Sequence, residues 1–292
     1  MPPPFTLAVD VGGTGLKAAV LDADGAMTSE RMRRDTPYPC PPPTLVAELR
    51  ALAAQLPRFD RASVGFPGAV RRGRVIEVPA LSRSSHDGPT DPALAAQWAG
   101  FELADHLQEA FGVPVRAGND ADLQGCAAIS GHGIELVLTL GTGVGTALFD
   151  EGRLLPHMEL SHGPFHKGRT YDEVLGDAGR RRVGTTRWRR RVRVAIAAFD
   201  AMLLFDRCHI GGGNAKRLHP SDLGPRIALV PNIAGILGGI ALWDQDPGVH
   251  DLAAHRAQVG PDGGVPPSDP ARPTDPARPT DGARRVPQGA GR

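Results

Sequence analysis

Asp10, Gly12, Gly13, Thr14, Gly15 and Lys17 crowd into one short stretch between the apolar runs 5–9 and 18–21. Glycine lets a backbone N–H approach an anion closely, because no Cβ stands in the way. A carboxylate ahead of such a turn can hold Mg2+, directly or through water, while Thr14 and Lys17 add a hydroxyl and a cation. The stretch is a candidate phosphate cradle, or simply a tight hairpin between two strands. No Gly-Lys-Ser/Thr opens a helix and the Rossmann spacing is missing, so it is neither of those phosphate loops. Two further glycine turns end apolar runs: Gly141-Thr142-Gly143, and Gly211-Gly212-Gly213 with Asn214 and Lys216 beside it. Three such turns in one chain can converge on a single extended phosphate-bearing ligand in a cleft.

Phosphoryl transfer to an alcohol needs a carboxylate within hydrogen-bond reach of the attacking hydroxyl. Asp120, after Asn119 at the junction of a strand and a helix, suits that role; it equally suits a helix N-cap. Glu159 and His162, with His157 and His166 close by, bring carboxylate and imidazole groups to a polar stretch. These groups suit sugar hydroxyls, and a metal ion is the rival occupant. Between Lys167 and Arg193, ten Lys/Arg residues stand against three acids. That run is either a solvated helix face or a track for a long polyanion. RNA is not favoured, since Trp188 falls on the apolar face and no aromatic platform is interleaved.

The elements that must carry these groups follow from periodicity. Strands are expected over 5–9, 18–21, 62–67, 113–117, 135–140, 145–149 and 207–210, and helices over 44–56, 101–111, 121–129 and 232–243. Residues 80–93 and 152–178 read as loops. A long helix follows, with Trp188, Val192, Ala195, Ile196, Phe199, Met202 and Leu203 on one face and Arg187, Arg190 and Arg193 turned away. The second strand–glycine turn–strand repeats the first, as an internal duplication would. The expected class is α/β with two lobes: 1–117, completed by the last helix at 232–245, and 118–231. From 246 to 292 the chain is rich in Pro, Gly and Arg and repeats Asp-Pro-Ala-Arg-Pro-Thr, so a disordered tail is expected there.

Composition narrows the partners. The 292 residues carry a formal net charge of +1, so a wholesale nucleic-acid binder is not expected. No apolar run reaches the roughly 18–20 residues of a membrane span, and the Met1-Pro2-Pro3-Pro4 start lacks a signal-peptide pattern. Cys40, Cys126 and Cys208 are scattered and hold no Cys-x-x-Cys, which implies neither a disulfide framework nor a cysteine zinc site. A cytoplasmic protein is the expectation.

Together these residues resemble the ROK family of sugar kinases, within the hexokinase/actin-like (ribonuclease H-like) superfamily, over residues 5–245. Asp10–Lys17 is similar to the family's first phosphate motif, residues 138–149 to its second, and Gly211–Asn214 to its nucleotide-side turn. Gly118-Asn119-Asp120-Ala121-Asp122 resembles the sugar-binding and catalytic motif, which implies Asp120 as general base and Asn119 as sugar ligand. Glu159-Leu160-Ser161-His162 is similar to the family's Glu-x-x-His, whose Glu and His contact the sugar. Asp172 or Glu173 stands where the family places a further Glu. Residues 159–171, 210–216 and the Trp188 helix resemble one branch, the polyphosphate glucokinases. That resemblance implies transfer of a terminal phosphoryl group from polyphosphate, with ATP as an alternative donor, to glucose in the presence of Mg2+, held by Asp10. Lys167, Arg169, Arg187, Arg190 and Arg193 would hold the polymer, and a homodimer is the expected assembly. An ATP-dependent hexokinase and a weakly active or non-catalytic sugar sensor are the alternatives. One departure stands out: Ala80 occupies the place of a sugar-binding Asn.

Overall fold

A computed structural model describes residues 4–230 and 234–245; the expected tail, 246–292, lies outside them, as do the first residues of the expected last helix. The chain runs through β1 (Thr6–Val11), β2 (Gly15–Leu21), β3 (Met32–Asp35), α1 (Pro42–Ala53), β4 (Arg61–Phe66), a ribbon of β5 (Ala69–Arg71) and β6 (Arg74–Glu77), α2 (Pro92–Trp98), α3 (Leu103–Phe111) and β7 (Val115–Asn119). It continues through α4 (Asp120–Cys126), β8 (Ile134–Leu140), β9 (Val144–Asp150) and β10 (Arg153–Leu154). A second ribbon follows, β11 (Pro164–His166) with β12 (Arg169–Thr170), then α5 (Tyr171–Leu175), α6 (Asp177–Val183) and α7 (Thr185–Leu203). The last elements are β13 (Arg207–Gly211), β14 (Ile227–Leu229) and α8 (Ala234–Ala241).

The strands form two sheets of the same plan, ordered β3-β2-β1-β4-β7 and β10-β9-β8-β13-β14. In each, an antiparallel three-stranded meander continues into two parallel strands. The duplication signalled by the two glycine hairpins extends to both sheets, giving the doubled α/β architecture of the hexokinase/actin-like fold. β1 and β4 lie inside their sheet and are buried almost throughout, which is why they read as continuous apolar runs rather than alternating ones.

Helices α4 and α8 fill the space between the sheets. Their approach is closer than a side chain would permit: a Cβ on Gly238 would meet the Leu123 carbonyl oxygen at 1.7 Å, and one on Gly239 would meet Ala8 Cβ at 3.2 Å. Ser63 donates its hydroxyl hydrogen to the Gly239 carbonyl, and Arg116 Nη1 donates to the carbonyls of Leu242, at 2.7 Å, and Gln245, at 3.0 Å. On the outer face of the second sheet, α7 buries Trp188, Val192, Ala195, Ile196 and Phe199. Trp188 also donates its indole N–H to the Leu175 carbonyl at 2.7 Å.

Three expectations need correction. Residues 152–178 are not a loop: they hold β10, the second ribbon, α5 and the start of α6, and their prolines and glycines mark element ends. Met202 does not join the apolar face and is 61% exposed. The chain reverses at Leu204, whose φ is +51°, and Phe205, 1% exposed, takes the core position instead. The expected 80–93 loop ends at Asp91, whose carboxylate caps α2 by accepting from the N–H groups of Ala93 and Leu94. All three cysteines are free and buried. No helix among the described residues is long and apolar enough to cross a membrane.

Candidate active site

The parallel register brings the chemistry to one edge of each sheet. Asp10 on β1 pairs with Lys17 on β2 and Gly65 on β4, and Gly65 pairs with Gly118 on β7. Asp10 and the Asn119-Asp120 junction therefore emerge at the same end of the sheet, with β4 between them. In the second sheet Thr139 on β8 pairs with Gly211 on β13, so the turns after these strands also share an edge. Functional groups gather at such carboxyl ends of parallel strands in α/β folds.

In the first turn the carbonyls are taken and two N–H groups are free. Thr36 Oγ1 donates to the Gly12 carbonyl at 2.6 Å and Tyr38 Oη to the Gly13 carbonyl at 2.7 Å. Gly12 N–H donates to the Gly15 carbonyl at 3.0 Å, while those of Gly13 and Thr14 have no partner among the described residues. Thr14 is exposed. The second turn follows the same scheme. The Gly141 carbonyl accepts from Asn214 Nδ2 at 3.0 Å and from the Asp177 N–H at 3.1 Å, and the Thr142 and Gly143 N–H groups are left free among the described residues. Such turns offer N–H dipoles to an anion. The third turn is held against the second: Asn214 N–H donates to the Leu140 carbonyl at 2.8 Å, and Gly212, at φ +84°, leaves no room for a Cβ beside Leu140. A cavity of about 890 Å3 opens between them, lined by Gly141, Thr142, Gly213, Asn214, Lys216 and Arg181 among others. Asp87 reaches it from the loop after β6.

Asp120 opens α4. Its carboxyl is pushed up to about 7, first by burial and next by the negative charge of Asp10, against the lowering effect of the Ala121 N–H. No ion pair among the described residues engages it. Asn119 is the N-cap: its Oδ1 accepts from the Ala121 N–H at 2.8 Å and its Nδ2 donates to the Gly68 carbonyl at 3.0 Å, so it orients the helix as well as facing the junction. Glu159 lies 3.2 Å from His157 Nε2 and 3.9 Å from His162 Nε2. Burial raises the Glu159 carboxyl, but the hydrogen bond from His157 and the positive charges of His157 and His162 together outweigh it, and the net shift is downward. His162 is half exposed, with its Nδ1 3.6 Å from Glu77 of β6. No group of three or more acids, histidines and cysteines suited to a metal occurs among the described residues.

Asp172, the expected sugar contact, meets the second glycine turn. Its Oδ1 accepts from the Val144 N–H at 2.7 Å and stands where a Cβ on Gly143 would be, so it pins the second glycine turn. Arg187, Arg190 and Arg193 are all exposed and step round α7 by about 60° each. Lys167 sits at the turn of the second ribbon, with φ +52°. Arg169 and Arg187, in contrast, act on Arg191, a half-buried residue absent from the expected set. Also unexpected are Tyr38, which reaches Ala80 as well as Gly13, and the Asp122–His157 pair. None of these carries a local sequence signal, because each depends on contacts between distant segments.

The ROK family model matches residues 6–163. The polyphosphate glucokinase of Mycobacterium tuberculosis is 26% identical over 246 residues, covering 79% of this chain and 88% of that protein. An N-acetylmannosamine kinase of Citrobacter koseri is 30% identical over 176 residues, 59% of this chain and 56% of its own. Among solved structures, an inorganic polyphosphate/ATP-glucomannokinase from Arthrobacter sp. strain KM is 27% identical with a TM-score of 0.67, covering 83% of this chain and 98% of that one. The chain belongs to the ROK family, and its similarity is to the sugar kinases of that family.

Proposed function

We propose that this ROK protein is a polyphosphate-dependent glucokinase, transferring a terminal phosphoryl group to the 6-hydroxyl of glucose. The observation that carries the kinase reading is Asp120: a carboxyl held near neutrality, without a salt-bridge partner among the described residues, at the same sheet edge as a glycine turn with free N–H groups. Asp120 orients the sugar hydroxyl and accepts its proton. The turns at 12–14, 141–143 and 211–213 hold donor phosphates, so that charge developing in transfer meets fixed dipoles. Asn119, Glu159 and His162 hold the sugar.

Mg2+ binds through one or two carboxylates, water and substrate phosphates. Asp10 suits that arrangement: its Oδ2 pairs with Lys17 Nζ at 2.8 Å and its side chain is 33% exposed. Bound there, Mg2+ would neutralise donor phosphate charge. The lobes we assign are 1–117 with the last helix and 118–231, supported by the packing of α8 on β1 and β4.

Polyphosphate is favoured as donor by the similarity to polyphosphate glucokinases and by Arg181 and Arg217 lining the cavity; ATP is the second reading, since the Arthrobacter relative is named for both donors. Glucose 6-phosphate formation with each donor tests this. Product from polyphosphate supports the proposal, product from ATP alone replaces it with an ATP-dependent hexokinase, and product from neither refutes kinase activity on glucose.

A further inference from the structure

Asp122, His157, Glu159, His162 and Glu77 form one row in which carboxylates and imidazoles alternate. His157 Nδ1 lies 3.0 Å from Asp122 and its Nε2 3.2 Å from Glu159. His162 Nε2 lies 3.9 Å from Glu159 and its Nδ1 3.6 Å from Glu77. The inner half of the row is buried and tight. The outer half is open: His162 and Glu77 are 48% and 50% exposed, and neither of its gaps is short enough for a hydrogen bond. The inner four residues come from α4 and the segment after β10, whereas Glu77 arrives from β6, in the other of the two lobes we assign.

Backbone geometry brings Glu77 to His162. β5 and β6 pair Val70 with Val75 but Ala69 with Glu77, so Ile76 is the extra residue of a bulge. Bulges re-aim side chains, and here Ile76 and Glu77 both face outward between buried Val75 and Val78, which leaves Ile76 49% exposed. The main chain behind Glu77 is fixed. A Cβ on Gly68 would collide with the Glu77 carbonyl oxygen, and the Gly68 carbonyl accepts from Asn119 Nδ2 at 3.0 Å. The same ribbon makes a second crossing, where Arg71 Nη2 donates to the His157 carbonyl at 3.1 Å. Glu77 is thus registered to the Asn119-Asp120 junction on one side and to the Glu159 segment on the other.

An exposed pair at this separation adds little to stability. Its use lies in direction. With Nδ1 facing Glu77, Nε2 is the ring nitrogen left toward Glu159. The space between Nε2 and Glu159 admits a hydroxyl oxygen about 2.8–2.9 Å from each. A ligand seated there also excludes water from the Glu77–His162 pair, which strengthens it.

We infer that Glu77 is a positioning residue for the sugar: it holds the His162 ring by Nδ1, so that Nε2 and Glu159 share one sugar hydroxyl. This rests on the glucokinase reading above. Glu77 acts through His162 and not on the sugar itself.

The test is a double-mutant cycle of Glu77→Ala and His162→Ala, read in glucose KM, donor KM and kcat. Glu77→Ala alone is expected to raise glucose KM about tenfold, as for loss of one charge-assisted contact, with donor KM and kcat little changed. In the His162→Ala background it is expected to add nothing. An unchanged glucose KM, a rise of the same size beside His162→Ala, or an equal rise in donor KM would overturn the proposal. The melting midpoint of Glu77→Ala is expected to hold; a clear fall would mean a structural role and would also overturn it. Glucose binding by calorimetry separates this claim from the kinase reading. Wild type that binds glucose about tenfold more tightly than Glu77→Ala, yet makes no glucose 6-phosphate, refutes the reading and leaves Glu77 standing. Glucose 6-phosphate formation indifferent to Glu77 does the reverse. Wild type that binds no glucose overturns both.

Discussion

His157 Nδ1 lies 3.0 Å from Asp122 Oδ1, and this contact ties the helix that opens at Asp120 to the loop that carries Glu159. The other ring nitrogen is 3.2 Å from Glu159 Oε1, so one imidazole stands between two carboxylates. Burial alone would lower the His157 pKa; the hydrogen bonds to Asp122 and Glu159, with the negative charges of both, outweigh it and lift it to about 10 from 6.5. The imidazolium therefore stabilises the fold in full below pH 6.5 and loses that contribution as pH rises through about 10. His157→Gln is expected to destabilise the protein by about 3 kcal/mol at neutral pH, because two buried carboxylates lose their cation. The gap between variant and wild type should narrow in melts toward the alkaline end. A gap independent of pH would contradict the charged assignment.

Asp172 gives a second prediction. Its Oδ1 holds the Val144 N–H, so Asp172→Ala frees the second glycine turn. The donor KM should rise about tenfold while the sugar KM stays near its wild-type value, as expected for loss of one charge-assisted hydrogen bond. An equal rise in both would mean that Asp172 also contacts the sugar.

Much of this was legible because it is local. The glycine hairpins, the strand–helix junction at Asn119-Asp120 and the apolar stripe from Trp188 to Phe199 depend on residues near one another in sequence, and they stand where periodicity places them. What was not legible depends on long-range meetings. Tyr38 reaches the Gly13 and Ala80 carbonyls from different segments, and nothing in a lone Tyr announces that. Residues 152–178 read as loop because their short strands and helices are stabilised by each other, as in the stacking of Tyr171 between Phe165 and Phe199. Arg191 was hidden among identical neighbours; only its burial sets it apart.

Gly238 offers a test of the middle layer. A Cβ there would fall 1.7 Å from the Leu123 carbonyl oxygen, a backbone atom that cannot swing aside. Gly238→Ala is expected to separate α8 from α4 and destabilise the fold by about 1–3 kcal/mol, read as a lower denaturant midpoint. A neutral effect would mean that the helices are not so closely packed.

Ala80 bears on the sugar. Its carbonyl accepts from Tyr38 Oη at 3.1 Å, which keeps this loop beside the first phosphate turn. The family resemblance places a sugar-binding Asn at this position, so Ala80→Asn is expected to add a hydrogen bond to a sugar hydroxyl and lower the glucose KM about tenfold. An unchanged KM would remove Ala80 from the sugar site.

The central claim is that Asp120 is the base. Its carboxyl pKa, raised to about 7 from 3.8, has two consequences of known sign. The ionised, proton-accepting form grows as pH rises through about 7, so kcat should climb there. Stability should fall as pH rises from about 3.8 to about 7 and level off above that, since between those values the folded state holds a proton that the unfolded state has released. The most direct measurement is kcat for glucose 6-phosphate formation across pH, for wild type and Asp120→Asn. The account predicts an inflection near 7 in the wild type, and a variant slower by about 10²–10⁴-fold that lacks the inflection and melts higher above neutral pH. A variant that keeps the wild-type kcat, or the inflection, would contradict it.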